Sequence, residues 1–243
     1  MTSIEDNWSP NEYDFDPNDQ RFERKFVTDA LSAPDLDTML RVHPAGFKIA
    51  YPDRWINNFY LDTENLTCYQ DHTRGCRSRA KFRIRWYGDM LQKHAKPVLE
   101  IKRKTGMVGS KLRFDLPEFD STKGFYDDAL KNLILEAGID ERIGGWVEAM
   151  RCVVGNRYRR TYFVTLDNEF RMTIDRDLQF IKIPSRLGAI EKPIDESTIV
   201  LELKYQNELD EKVEAITQQL PMRVNRMSKY ILGVEQLAAH GRW

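Results

Sequence analysis

The sequence lacks the features that mark secreted and membrane-spanning proteins. Three cysteines in 243 residues are too few, and odd in number, for a disulfide framework, so we expect a reducing compartment. No segment approaches the roughly 18 consecutive apolar residues that a membrane-spanning helix needs. The first 19 residues carry six acidic side chains and no basic one, which argues against a signal or transit peptide. We therefore predict a soluble cytoplasmic protein without a membrane span.

The sequence also lacks an excess of positive charge. Its 37 lysines and arginines nearly balance 38 aspartates and glutamates, so the formal net charge is −1. Proteins that bind nucleic acid through their overall field are strongly basic, and we therefore expect no nucleic-acid partner. Apolar residues make up 41% of the chain and aromatic residues 11%, which is enough for a hydrophobic core. Any functional charge must lie in the local pattern.

Short segments that alternate polar and apolar residues follow one another from residue 21 to about residue 205, and this period of two predicts strands. The predicted strands are residues 21–28, 47–51, 57–62, 79–87, 98–104, 158–166, 170–174, 179–183 and 199–205. Helices are predicted after caps at Ser32 and at Ser121 or Thr122, and over residues 208–220 and 227–237. Because strands and helices do not alternate regularly, the pattern argues against a doubly wound parallel sheet. We predict an acidic N-terminal extension, residues 1–20, and a single α+β domain, residues 21–243, that is mainly antiparallel β.

Several predicted strands carry cations on one face. In residues 80–86, Lys81, Arg83 and Arg85 alternate with apolar residues and therefore point to the same side. The other predicted strands also carry polar residues on one face. These are Glu23 and Lys25 in residues 21–28; Glu100, Lys102 and Lys104 in residues 98–104; Tyr158, Arg160 and Tyr162 in residues 158–166; Arg171 and Thr173 in residues 170–174; and Glu202 and Lys204 in residues 199–205. A single strand with this pattern is typical of a sheet whose polar face is exposed to solvent. Several strands that share the pattern favour a sheet closed on itself. The polar, basic face would then lie inside and the helices would cover the apolar face outside.

An interior of this kind needs an anionic ligand, because like charges in a confined space of low dielectric repel one another strongly. A chain of phosphates, each negatively charged, suits bidentate arginine contacts and lysine point charges. Carboxylates among these cations indicate a divalent metal ion that bridges phosphate oxygens. The pattern therefore predicts triphosphate or polyphosphate bound together with a divalent metal.

Eight short segments also occur in a recognisable order between about residue 21 and residue 234. They read FERKF (22–26), FYLDT (59–63), KFRIRWY (81–87), EIKRK (100–104), YRRTYF (158–163), RMTID (171–175), LELKY (201–205) and MSKY (227–230). Together they resemble the VTC domain, the polyphosphate polymerase domain of the triphosphate tunnel metalloenzymes, which are relatives of the CYTH triphosphatases. Arg21 stands where CYTH enzymes carry the first of two glutamates, which favours the VTC branch.

The resemblance implies a closed antiparallel tunnel of about eight strands that binds phosphate chains with Mn²⁺ or Mg²⁺, held mainly by Glu202. The residues implied to bind phosphate are Lys25, Arg83, Arg85, Lys102, Arg160, Arg171 and Lys229, with hydrogen bonds from Tyr158 and Ser228. We assign catalytic charge stabilisation to Lys25, Arg83, Arg85, Lys102, Arg160 and Arg171. The alternation adds Lys81, Lys104 and Lys204 as phosphate ligands, and Glu23 and Glu100 as further metal ligands.

The implied reaction is transfer of the terminal phosphoryl group of ATP to a growing polyphosphate chain. Positioning and charge stabilisation suffice for this chemistry, so a nucleophilic side chain is not required. Two alternatives stay open: a hydrolase that cleaves triphosphate with water, and a non-catalytic module that binds polyphosphate. Cys68, His72 and Cys76 have a spacing that invites a zinc interpretation, but on a helix they would extend over about 12 Å, too far for one ion.

Overall fold

The computed structural model describes residues 21–105, 108–184 and 191–242, and the predicted extension over residues 1–20 lies outside them. The described residues form ten strands and six α-helices. The strands are β1 (Arg21–Thr28), β2 (Lys48–Thr63), β3 (Ser78–Tyr87), β4 (Val98–Thr105), β5 (Val108–Asp115), β6 (Met150–Val164), β7 (Arg171–Ile181), β8 (Ile194–Glu196), β9 (Ile199–Gln206) and β10 (Val224–Asn225). The helices are α1 (Ala33–Arg41), α2 (Thr67–Thr73), α3 (Asp127–Glu136), α4 (Glu141–Glu148), α5 (Val213–Thr217) and α6 (Lys229–Ala239). Within these ranges, no helix combines the length and the hydrophobicity needed to cross a membrane.

All ten strands belong to one antiparallel sheet, which confirms the predicted α+β class. Nine of them follow the order β10-β1-β9-β7-β6-β2-β3-β4-β5, and β8 pairs with β7 beside this path. The prediction of a closed sheet is wrong for the described residues, because their ladders leave β5 and β10 as edges. The physical reason is that β10 has two residues and pairs with β1 only at Lys25 and Phe26, so it offers too few backbone donors and acceptors for a further ladder to β5.

The sheet nevertheless curls strongly. In the strand order β1 and β4 are six positions apart, which in a flat sheet would separate them by roughly 29 Å at ~4.8 Å per strand. Yet the Nζ atom of Lys102 on β4 lies 3.6 Å from Oε2 of Glu23 on β1. Side chains of distant strands therefore meet over the concave face, as the accumulated twist of a large sheet allows.

Helices α1, α3, α4 and α5 cover the convex, apolar face, as predicted, whereas α6 packs on the other side of the sheet, where Gly233 meets Val154 and Phe180. Phe82 and Ile84 of β3 are fully buried in one core with Leu130 of α3 and Val147 of α4. The ring of Phe82 meets the ring of Trp146 edge to face, with 6.2 Å between the centroids. A second core joins β1, β7 and β9 to α1 and α5. Burial of these apolar faces is the main source of the stability of the sheet.

The helix starts were predicted with mixed success. Ser32 caps α1, and its side chain forms a reciprocal capping box with Asp35, as the sequence predicts. The predicted cap at Ser121 or Thr122 is wrong, because Ser121–Lys123 is a short 3₁₀ turn whose own cap is Asp120. Gly124 follows this turn with a φ of 89°, a conformation that ends a helix, so α3 starts only at Asp127.

Candidate functional site

The cross-strand register places the predicted cations on the concave face of the sheet. Lys81 lies opposite Lys102, Arg83 opposite Glu100, and Arg160 opposite Asp175. Directly opposed residues point to the same side of a sheet, so these pairs extend one continuous surface. We call this surface the polar face; its residues are Glu23, Lys25, Asn58, Tyr60, Lys81, Arg83, Arg85, Glu100, Lys102, Lys104, Lys111, Tyr158, Arg160, Tyr162, Arg171, Thr173, Asp175, Glu202 and Lys204.

Helix α6 adds Ser228 and Lys229 to the edge of the polar face. The next residue, Tyr230, is buried, stacks on Tyr60 with ring centroids 5.1 Å apart, and donates a hydrogen bond from its hydroxyl to Asp62. These contacts fix the first turn of α6 against β2. The amine of Lys229 and the hydroxyl of Ser228 are therefore held among the cations of the sheet.

One group of cations surrounds Glu100, which is 4% exposed. The carboxylate oxygens of Glu100 lie 2.5 Å from Nη2 of Arg83, 3.4 Å from Nη1 of Arg85 and 2.7 Å from Nζ of Lys111. Burial disfavours ionisation of Glu100, yet Arg83, Arg85 and Lys111 hold its pKa below the ordinary range. Glu100 is therefore a counter-ion that orients the two arginines.

A second group surrounds Asp175, which is 1% exposed. Arg160 donates two hydrogen bonds to its carboxylate, from Nε at 2.5 Å and from Nη2 at 2.7 Å, and Lys229 donates a third at 2.6 Å. Burial disfavours the charged form, but Arg160 and Lys229 outweigh it and lower the pKa of Asp175. The Lys229 amine also lies 4.6 Å from the ring centroid of the buried Tyr158. Asp175 therefore fixes the positions of two predicted phosphate ligands.

A third group contains the two carboxylates Glu23 and Glu202. Nζ of Lys204 lies 2.6 Å from Oε1 of Glu202 and 3.9 Å from Oε2 of Glu23, and Nζ of Lys25 lies 2.7 Å from Oε1 of Glu23. Burial opposes the charge on Glu202, yet Lys204, Lys25 and Arg160 hold its pKa well below the ordinary value. Both carboxylates are thus close enough to share one cation.

Lys81, like Lys104 and Arg171 of the polar face, has no carboxylate partner among the described ion pairs. Its amine donates to Oγ of Ser228 at 2.9 Å and lies 3.5 Å from Nε2 of His72. Burial and repulsion from Lys25 and Lys102 lower the pKa of Lys81 to about 7. Burial and the charge of Lys81 likewise lower the pKa of His72 to about 4, so His72 is neutral at physiological pH. This end of the polar face has uncompensated positive charge.

We expect tripolyphosphate affinity to fall as the pH rises above about 7. A bound anion beside Lys81 raises the pKa of the Lys81 amine. The contribution of Lys81 to anion affinity is therefore complete below the pKa that Lys81 has in the free protein. This contribution is lost as the pH rises through the higher pKa that Lys81 has in the complex. Binding near pH 7 should therefore take up a proton, which calorimetry in buffers of different ionisation enthalpy measures. The Lys81→Met variant should take up correspondingly fewer protons. Equal proton uptake by both proteins would contradict the role of Lys81.

The remaining predicted ligands lie on the polar face but are more open to solvent. Lys102 has a side-chain exposure of 61%, and Arg171 is exposed opposite Lys204. Lys104 is half-buried opposite Arg79. The neighbouring arginines Arg103 and Arg159 alternate with the polar-face residues and therefore belong to the opposite face of the sheet. Nε of Arg159 lies 3.3 Å from a carboxylate oxygen of Asp53.

Lys111, Asp175 and His72 contact predicted site residues but were not themselves predicted from the sequence as ligands. Lys111 lies on β5, which was not recognised as a strand, although Lys111 and Arg113 alternate with Leu112 and Phe114. Asp175 continues the alternation of Arg171 and Thr173 and could have been found from it. His72 approaches Lys81 only through the tertiary position of α2, so the sequence pattern does not show it.

A divalent metal fits only part of the predicted ligand set. No group of three or more His, Cys, Asp or Glu residues in the described ranges could hold an ion alone, and the carboxylate of Glu100 contacts Arg83, Arg85 and Lys111. The ammonium of Lys204 shows, however, that a cation can lie beside both Glu23 and Glu202. Mg²⁺ and Mn²⁺ commonly bind through one or two carboxylates, with phosphate oxygens and water completing the coordination. The pair Glu23 and Glu202 fits that mode.

Comparison with known proteins places the chain in a family. The family model described as VTC domain matches residues 20–238, which is nearly the whole chain. No curated protein matches the sequence. The PH1819 protein from Pyrococcus horikoshii OT3 has a similar structure, with a TM-score of 0.51 and 12% identity over 89% of this chain and 99% of that chain. A protein from Vibrio parahaemolyticus described as a candidate adenylate cyclase gives a TM-score of 0.50 and 13% identity over 87% of this chain and 97% of that chain. At these identities, the two structures show a similar fold alone.

Proposed function

The chain belongs to the VTC domain family of CYTH-like proteins, and we propose that it is a metal-dependent polyphosphate polymerase. The family is one of triphosphate-binding, phosphoryl-transfer proteins. In our proposal the curled, open sheet holds the phosphates over the polar face, and a nucleoside triphosphate donates its terminal phosphoryl group there to a phosphate chain. The cytoplasm is the proposed compartment, which suits the free cysteines Cys68, Cys76 and Cys152.

The observation that carries this proposal is the surplus of positive charge on the polar face. Each of its buried carboxylates, Glu100, Asp175 and Glu202, already has at least two cationic neighbours, whereas Lys81 has no carboxylate partner among the described residues. Cations so close together in a half-buried site destabilise the free protein. A triphosphate brings several negative charges in one compact ligand and relieves this repulsion.

The proposed roles follow from the positions of the side chains. Arg83 and Arg85 are oriented by Glu100, and Arg160 and Lys229 by Asp175, so their donors are arranged before the ligand arrives. Donors arranged in advance stabilise charge that develops on the leaving diphosphate without reorganisation. Glu202 and Glu23 are proposed to hold the metal, which when bound neutralises phosphate charge. Lys25, Lys81, Lys102, Lys104, Arg171, Lys204, Tyr158 and Ser228 are proposed as further phosphate contacts.

The product of the reaction tests the proposal. Purified protein is incubated with ATP and Mn²⁺, and long-chain polyphosphate is resolved from free phosphate. We expect ADP and polyphosphate in proportion. Free phosphate without polyphosphate would show a hydrolase, and the absence of any turnover, together with stabilisation by tripolyphosphate in a thermal scan, would show a binding module.

A further inference from the structure

Three tyrosine rings surround the guanidinium group of Arg54 at an exposed end of the polar face. Cζ of Arg54 lies 5.4 Å from the ring centroids of both Tyr51 and Tyr87, and 5.0 Å from that of Tyr162. The rings of Tyr51 and Tyr162 meet edge to face, with 5.7 Å between their centroids. We call these four residues the tyrosine rim.

The tyrosine rim continues the polar face. Tyr51 lies opposite Tyr162, and Arg54 lies opposite Arg160, across the ladder between β2 and β6. Tyr87 follows Lys81, Arg83 and Arg85 in the alternation of β3. Cζ of Arg160 is 5.9 Å from the ring centroid of Tyr162, so one ring lies beside both Arg54 and a proposed phosphate ligand.

Packing does not account for the rim. Tyr51 is 53% exposed and Tyr87 is 39% exposed, and neither ring belongs to the two hydrophobic cores of the described chain. Arg54 is also exposed, and it does not appear in the ion pairs that the described residues form. Aromatic rings and guanidinium planes are the groups on which proteins stack nucleic-acid bases. An exposed set of both, directly beside a phosphate-binding face, suits a ligand with a planar base and a phosphate chain.

We propose that the tyrosine rim is a nucleobase-binding platform, on which the base of a nucleoside triphosphate stacks while its phosphates extend towards Arg160. This inference rests on the proposed function, since it assumes that the polar face binds the phosphates. Stacking recognises the face of a base more than its edge. The platform therefore discriminates weakly among bases, but it favours a nucleoside triphosphate over inorganic tripolyphosphate.

The test compares two ligands that share the phosphate chain and differ in the nucleoside. Dissociation constants for β,γ-imido ATP and for tripolyphosphate are measured by calorimetry on wild type, Tyr51→Ala and Tyr87→Ala, which leave the charge unchanged. The control is Phe22→Ala, an aromatic of similar exposure (41%) on β1 whose ring packs edge to face against Tyr205, away from the polar face. Each tyrosine variant should bind the nucleotide at least about fivefold more weakly. Tripolyphosphate affinity should stay within about twofold throughout, and Phe22→Ala should bind both ligands as wild type does.

Saturation-transfer NMR on wild type gives a second readout that needs no variant, and the base protons should receive more saturation than the ribose protons. If both ligands bind wild type but the tyrosine variants weaken neither, or weaken both equally, or the base protons receive no saturation, the platform is refuted and the proposed function stands. If wild type binds tripolyphosphate but not the nucleotide, the platform also fails. If wild type binds neither ligand, the proposed function itself fails and the platform with it.

Discussion

Replacing Glu202 by Gln should lower phosphoryl transfer by about 100-fold or more, which corresponds to the several kcal/mol that a metal ion contributes to charge stabilisation. Glutamine keeps the shape of the side chain but removes the charge that attracts a hard cation. Because Glu202 lies among Lys25, Lys204 and Arg160, removing its charge should leave tripolyphosphate binding without metal equal or tighter. Steady-state kinetics across a Mn²⁺ titration, together with calorimetry in EDTA, measures both effects.

The matched control for this prediction is Glu100→Gln on the same face. Glu100 contacts Arg83, Arg85 and Lys111 and not the pair Glu23 and Glu202, so its loss should reduce stability more than the affinity for metal. Normal turnover of Glu202→Gln at low Mn²⁺ concentration would refute Glu202 as the metal ligand. An increased metal requirement in Glu100→Gln would instead add Glu100 to the ligand set.

Truncating Phe82 to Ala should destabilise the protein by about 3–5 kcal/mol, the range for removing a buried phenylalanine side chain. Phe82 is fully buried beneath α3 and α4, and its contacts with Trp146 would be lost to a cavity. The tripolyphosphate affinity of the molecules that remain folded should change little, because Phe82 points away from the polar face. Urea unfolding and calorimetric titration measure the two quantities separately.

The neighbouring substitution Arg83→Ala should have the opposite profile. Glu100 keeps Lys111 and Arg85 as partners, so the loss of stability should be smaller than in Phe82→Ala. Tripolyphosphate affinity should fall by about 1.5–3 kcal/mol, the range for a hydrogen bond to a charged group. If Arg83→Ala binds normally while Phe82→Ala is as stable as wild type, β3 is oriented otherwise than the structure shows.

Regular alternation in the sequence was enough to predict most of the sheet. The bounds predicted for β1 agree with the structure at both ends, and β3, β4 and β9 differ by one residue at an end. Two long strands were each predicted as two short ones, because bulges interrupt the period of two. In β2 the register shifts between Ile49 and Arg54 around Pro52, a residue that sheets tolerate at bulges. In β7 the break falls at Asp177, whose φ of 54° interrupts the extended backbone.

Elements that depend on tertiary contacts were missed. Helix α2 begins after Leu66, which has a φ of 55° and provides no side-chain cap. The carboxylate of Asp62 accepts instead from the backbone amides of Cys68 and Tyr69, so the sequence signature of a helix start is absent. Strand β10 has two residues, too few for any periodic signal. The open edges of the sheet likewise depend on pairing between distant segments, which alternation within one strand does not reveal.

The polar face was easier to predict than its internal pairing. Successive residues of a strand point to opposite faces, so the alternation along each strand was enough to identify the lysines and arginines of the polar face. Which cation contacts which carboxylate depends on register between strands, and so Asp175 was not recognised as the partner of Arg160 and Lys229. The contacts of Glu100 with Arg83 and Lys111 likewise depend on how β4 pairs with β3 and β5, which the alternation within one strand does not show.

The central claim is that the polar face, and not the opposite face, binds the phosphate chain. Lys102 and Arg103 are adjacent on β4 and carry the same charge, but Lys102 lies opposite Lys81 and Lys111, whereas Arg103 lies opposite Ala80 and Ser110. Calorimetric titration of Lys102→Gln and Arg103→Gln with tripolyphosphate, at about 0.15 M salt to screen distant charges, compares the two faces directly. We predict that Lys102→Gln binds at least about tenfold more weakly than wild type and that Arg103→Gln stays within about twofold. Equal losses in the two variants, or a larger loss in Arg103→Gln, would contradict the claim.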